Sequence, residues 1–191
     1  MLQSGGERSC PRANGWPCSV RMSAQTLELG MRMDIEARLS EIGISLPEPP
    51  AAIGNFVPGV EFENILYVSG TYGTMKDERG IDFIPHPGKV GAELTIEDGY
   101  ESARLMMINH LAMAKTVLGD LARIDRPIRL VGYVNAAPGF QSAPSILNGA
   151  SDLLISIFGK ERGAHARMAL YQHELARDAP IAGEIMFGLI K

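Results

Sequence analysis

Two helical periods, each closed by a glycine, stand among five runs of strand character, and this ratio limits the fold more than any other feature of the chain. In the first period Tyr100, Ala103, Met107, Leu111, Ala114 and Leu118 recur at intervals of three and four. Thr95, with Asp98 three residues on, forms a capping-box pair at its start, and Gly119 stops it. The second opens near Ser142 with Pro144 in the first turn. Its apolar face is Ile146, Leu147, Ala150, Leu153, Leu154, Ile157 and Phe158, and Gly159 ends it. Strands are expected at 56–60, 65–71, 128–135, 166–175 and 180–190. The clearest is 65–71, whose β-branched and aromatic content suits a sheet interior. Residues 35–44 read as a short helix, ended by Pro47, Pro49 and Pro50. The stretch 73–91 is polar and glycine-rich and reads as a long loop. The order β-β-α-β-α-β-β predicts an α/β (α+β) fold, a mixed sheet with two helices packed on one face. The other face then needs a cover, and oligomerisation is expected to supply it.

Composition divides the chain. Residues 1–32 show no sustained period and hold both cysteines, Cys10 and Cys18, and the only tryptophan, Trp16. They carry four arginines and two glutamates, and are expected to be a disordered extension ahead of one domain at 33–191. A mitochondrial-type presequence is the rival reading of this basic segment, weakened by Glu7 and Glu28. Met22, Met31 and Met33 offer alternative starts. The remainder holds 14 Lys and Arg against 20 Asp and Glu. That balance argues against a nucleic-acid partner, which needs clustered positive charge. Residues 33–191 contain no cysteine, so they have no disulfide, thiolate nucleophile or cysteine metal ligand. No run approaches the roughly 18 apolar residues of a membrane span, and no apolar stretch suggests a secretory signal. A cytoplasmic location is the simplest reading.

Three segments carry a family resemblance. Pro50-Ala51-Ala52-Ile53-Gly54-Asn55-Phe56 is similar to the Ala-Ile-Gly-Pro-Tyr-Ser stretch that precedes the first strand in the RidA/YjgF family. Leu66-Tyr67-Val68-Ser69-Gly70 resembles that family's Val-Tyr-x-Ser-Gly strand, and Ala166-Arg167 its Ala-Arg-Ser segment. The matches run in order over residues 47–190. Gly88-Lys89-Val90-Gly91 and Asn148-Gly149-Ala150-Ser151-Asp152-Leu153-Leu154 suggest a divergent branch. The resemblance implies a chorismate-mutase-like fold, a homotrimer with clefts between subunits, and no cofactor. It also implies hydrolysis of reactive enamines and imines to 2-oxo acids and ammonia. In that scheme the arginine binds the substrate carboxylate, the Ser-Gly strand supplies pocket backbone, and an acidic residue near the last strand positions water. Some relatives are described as ribonucleases or translation inhibitors.

Arg167 is the leading candidate on chemical grounds, because its planar guanidinium can hold a carboxylate through two parallel bonds. Its apolar neighbours Ala166, Met168, Ala169 and Leu170 place that charge in a strand that otherwise seeks burial, so it needs a partner or a ligand. An interface ion pair is the competing reading. Ser69, Gly70 and Asn135 stand at strand ends, where pockets are often built and where turns also form. Phe56 keeps the ring of the family's pocket tyrosine and lacks its hydroxyl. By the resemblance, the water-positioning acid falls on Ala182. Glu184 lies two residues on, on the same strand face, and is the nearest carboxylate. The candidate set is therefore Arg167 and Glu184 for catalysis, with Phe56, Ser69, Gly70, Asn135 and Arg167 for substrate. A non-catalytic sensor or scavenger of small carboxylates is the alternative, and a ribonuclease a weaker third. His165, two residues before Arg167, could move protons or serve as a polar edge residue. His86, His110 and His173 have no ligand spacing with carboxylates, so no metal is expected.

Overall fold

The computed structural model describes residues 34–190. Its elements are α1 (Ile35–Glu41), β1 (Gly59–Phe62), β2 (Ile65–Tyr72), β3 (Met75–Lys76), β4 (Asp82–Phe83), α2 (Ile96–Leu118), β5 (Ile124–Asn135), α3 (Ala143–Arg162), β6 (Ala166–Gln172) and β7 (Ile181–Leu189). Five strands form a mixed sheet in the order β1-β2-β7-β5-β6, with β3 and β4 as a separate hairpin. Every neighbouring pair in the large sheet is antiparallel except β5 and β6. A parallel pair needs a crossover, and α3 supplies it.

The helices cover one face. In β7, Ile181, Gly183, Ile185, Phe187 and Leu189 are buried, while the residues between them are half-buried. That alternation is the signature of a sheet with one packed side. Buried Met106, Met107, Leu111, Ile146, Leu147 and Leu154 meet it from α2 and α3. The two helices also touch closely, because a Cβ on Gly149 would fall 2.0 Å from the carbonyl oxygen of Tyr100. Thr95 caps α2 as its sequence requires: its side chain accepts from the Asp98 amide, and Asp98 reaches back to the Thr95 amide. The opposite face carries Tyr67 and Met168, both exposed, with Glu184 and Met186 half-buried. No described element packs over it. No helix among the described residues is long and apolar enough to cross a membrane.

Several boundaries differ from expectation, each for a local reason. The second long helix continues to Arg162 past a break at Gly159, whose φ of 76° and ψ of 165° are not helical. β5 begins at Ile124, four residues early, and its pairing with β7 skips on both sides of Pro127, which cannot donate to the ladder. β6 stops at Gln172, and a tight turn at Ala176–Asp178 follows. The loop 73–91 contains the β3–β4 hairpin. Asp77 Oδ1 accepts from the amides of Arg79 and Ile81, each at 2.9 Å, and so shapes its turn. Residues 1–32, expected to be an extension, lie outside the described residues.

Candidate functional site

The β2–β7 ladder is interrupted where the sequence places Ser69 and Gly70. Val68 pairs with Ile185 and Thr71 with Gly183, so Ser69 and Gly70 together oppose Glu184 in a β-bulge. Both sides of the bulge are held. The Ser69 amide donates to Pro58 O at 2.9 Å, and its hydroxyl donates to Val57 O at 2.6 Å, fixing the incoming segment. From α2, His110 Nε2–H donates to Gly183 O at 3.0 Å. Asn109 Nδ2 donates to Tyr72 O, Thr74 O and Thr74 Oγ1 at 2.9, 3.1 and 3.0 Å. His110 is fully buried, and burial pushes its pKa down to about 4, so it is neutral at pH 7. Its Nδ1 has no hydrogen-bond partner.

A cleft of about 240 Å³ opens beside the bulge, lined by Ile53, Phe56, Gly70, Thr71, Met113 and Arg177, among others. Phe56 is 46% exposed and forms part of its wall. Arg177 donates to the backbone carbonyl of Asp82, another lining residue. Glu184 lies elsewhere, in a groove of about 90 Å³ on the uncovered face with Tyr67, Arg129, Val131 and Met186.

Arg167 stands at the far edge of the sheet. It is in register with buried Leu130, so it points to the helix side. Its Nη1 donates to Asn148 Oδ1 at 2.7 Å and Ser151 Oγ at 3.0 Å, and its Nη2 to Pro144 O at 3.3 Å. All three acceptors are neutral, and these bonds use three of the five guanidinium N–H donors, which leaves two for a ligand. Burial lowers its pKa, and Asp152 works against that. His165 completes a chain. Its Nδ1–H donates to Gly163 O at 2.7 Å, a carbonyl that can only accept, so Nε2 accepts from the Ser151 hydroxyl at 3.1 Å. Ser151 is then left with lone pairs for Arg167. Burial first, and the charge of Arg167 second, hold His165 below its ordinary pKa.

Asn135 is completely buried and engaged at both ends of its amide. Oδ1 accepts from Lys89 Nζ at 2.8 Å, and Nδ2 donates to Asp178 Oδ1 at 3.1 Å. It ties the end of β5 to the Gly88–Val90 stretch and to the turn at 176–178. Between β2 and β6 lie β7 and β5. Three strand steps at about 4.8 Å put Arg167 about 14 Å from the bulge, and Arg167 and Glu184 occupy opposite faces. One chain therefore brings Phe56 and Gly70 together and sets Ser69, Gly70 and Glu184 side by side across the ladder. It does not bring Arg167 or Asn135 to them.

Residues 36–178 match the family described as YjgF/chorismate mutase-like, putative endoribonuclease. The chain belongs to this YjgF family. Protein TCP17 of Trypanosoma cruzi is 37% identical over 136 residues, 71% of this chain and 82% of that protein. The solved structure of Atu1372 from Agrobacterium tumefaciens, of unknown function, is 34% identical with a TM-score of 0.72 and spans 84% of this chain and 96% of its own. E. coli TdcF with bound serine is 17% identical with a TM-score of 0.53, over 75% and 94% of the two chains, and shares the fold.

Three residues of this YjgF-family chain were not visible as site components in its sequence. Ser151 lies on α3, and only the crossover brings it to Arg167 and His165. Arg177 reaches the cleft through the turn at 176–178. His110 sits in the middle of α2, where a histidine on an apolar face gives no sign of which carbonyl it meets. Among the described residues, no three His, Cys, Asp or Glu side chains group as metal ligands.

Proposed function

We propose that this YjgF-family domain, residues 33–191, assembles as a trimer in which Arg167 of one copy meets the Phe56–Gly70 cleft of the next. The composite site hydrolyses imines and enamines of small amino acids to 2-oxo acids and ammonia. The observation that carries this reading is the separation of Arg167 from the cleft within one chain, together with an uncovered sheet face. A single copy holds each half of the site and neither half alone is complete. The bound serine in TdcF supports a ligand of amino-acid size for this fold.

In the assembled site the spare guanidinium donors of Arg167 take the substrate carboxylate, with Asn148 and Ser151 fixing the plane of the fork. The Phe56 ring covers the apolar body, and the bulge at Ser69–Gly70 offers backbone to the reacting carbon. Water adds its oxygen to the imine carbon, and the C–N π electrons move to nitrogen. The water's first proton passes to that nitrogen, and the hydroxyl proton of the resulting carbinolamine follows as it collapses. That collapse breaks the C–N bond, releasing ammonia and leaving the 2-oxo acid. An enamine enters the same path after tautomerising by protonation at carbon.

An amino acid oxidase generates imines in place, and 2-oxo acid release is followed with and without the protein. Acceleration that is lost in Arg167→Lys supports hydrolysis. Release at the spontaneous rate would remove the catalytic claim. The second reading, a non-catalytic scavenger, draws on Ala182. This residue lies opposite Tyr72 beside the bulge and has no ionisable group. Ligand binding without acceleration would favour it. RNA cleavage gains no support from the acidic balance of residues 33–191.

A further inference from the structure

We propose that Arg177 gives the cleft a second anion site, so that the preferred substrates are imines of dicarboxylic amino acids. This rests on the reading above, in which Arg167 of another copy takes the first carboxylate. The cleft wall is largely apolar, with Ile53, Phe56 and Met113, and its charged lining residues are Asp82 and Arg177. Asp82 is already matched. One carboxylate oxygen accepts from Lys76 Nζ at 3.1 Å and the other from the Ala51 amide at 2.9 Å. Arg177 is not matched in this way, since its hydrogen bond goes to the neutral carbonyl of Asp82. Lys76, Asp82 and Arg177 together leave one positive charge at the rim.

The backbone fixes where that charge sits. Arg177 has φ 62° and ψ 20°, and Asp178 follows at φ 53°, left-handed values that non-glycine residues rarely hold. Such a turn persists only when its surroundings impose it. Here Asp178 O accepts from the Gly88 amide at 2.8 Å, and its carboxylate accepts from buried Asn135. The lock at Asn135 thus holds the turn that delivers Arg177 to the cleft. A ligand with an apolar chain between two carboxylates fits a site with one arginine at each end and apolar walls between.

The test is titration calorimetry of the full-length protein with 2-oxoglutarate and 2-oxopentanoate, which have the same chain length and differ in the second carboxylate. A charge-assisted contact corresponds to a preference of about ten- to a hundredfold for 2-oxoglutarate. In Arg177→Met that ratio should fall to near one, and Arg177→Lys should keep part of it. Equal affinities in the wild type, or an unchanged ratio in Arg177→Met, would overturn the inference and leave imine hydrolysis standing. The wild-type comparison decides the point even if the variant folds poorly. Weakening of both affinities alike in Arg167→Lys is the independent check on the composite site. Binding of neither acid to the wild type would overturn both readings.

Discussion

Acid should unfold this protein partly through His110. The imidazole is fully buried, and its pKa in the folded chain is about 4 against an ordinary 6.5. Above pH 6.5 neither state binds the proton, and the stability from a neutral His110 is fully present. As pH falls below 6.5, the unfolded chain takes the proton and the folded chain resists until about 4, so stability is lost across that window. At about 1.36 kcal/mol per unit, the full loss is about 3 kcal/mol, and about 2.5 kcal/mol of it falls between pH 7 and pH 4.5. Against a total of about 5–15 kcal/mol this is a large share. His110→Gln keeps a donor for Gly183 O and cannot titrate near neutral pH. Urea unfolding of both proteins at pH 7.0 and 4.5 measures the difference. His165, also lowered, contributes equally to both and cancels. The variant should lose about 2.5 kcal/mol less than the wild type on acidification. Equal losses would mean that His110 is not buried as described.

Arg167→Lys keeps the charge and loses the planar fork, so binding of small 2-oxo acids should weaken by about 1.5–3 kcal/mol in calorimetry. A weakened assembly with unaltered affinity would instead make Arg167 an interface residue. Asn109→Ala leaves the carbonyls of Tyr72 and Thr74 without their donor, and should cost about 2–3 kcal/mol in urea unfolding. Removing residues 1–32 should leave the thermal midpoint unchanged. Sedimentation at micromolar concentration should give three times 20.7 kDa, and a stable monomer would contradict the trimer.

The helices and the central strands were legible because their signals are local. The Thr95–Asp98 cap, the stop at Gly119 and the run 65–71 each reside in adjacent residues, and the structure places them within a residue or two. The β3–β4 hairpin was missed because its strands are two residues each, too short for any period, although Asp77 and Gly80 mark the turn. Gly159 does break the helical backbone as its residue type requires. The chain then regains helical backbone over residues 160–162, which no local signal announces. The candidate site divides in the same way. Ser69 and Gly70 could be read from one strand, whereas the relation of Arg167 to Ser151 and His165 depends on a crossover. The opposite faces of Arg167 and Glu184 depend on the register between strands that are distant in sequence.

The bulge at Ser69–Gly70 also acts as a phase shift in β2. Before it, Leu66 and Val68 are the inward residues; after it, Thr71 is inward and Tyr72 is not. An uninterrupted alternation would have turned Gly70 toward the helices and Thr71 away from them. Deleting one residue at 69 or 70 would therefore remove the bulge and leave a regular alternation in which Thr71 is still inward and 71–74 keep their faces. Inserting a further residue there would instead drive Tyr72 toward α2 and turn away the carbonyls that Asn109 now collects. An alignment with a strand that lacks the bulge needs a single-residue gap at this point to keep side chains on matching faces. A hybrid protein spliced there without that gap would carry the shift into the entry to the cleft.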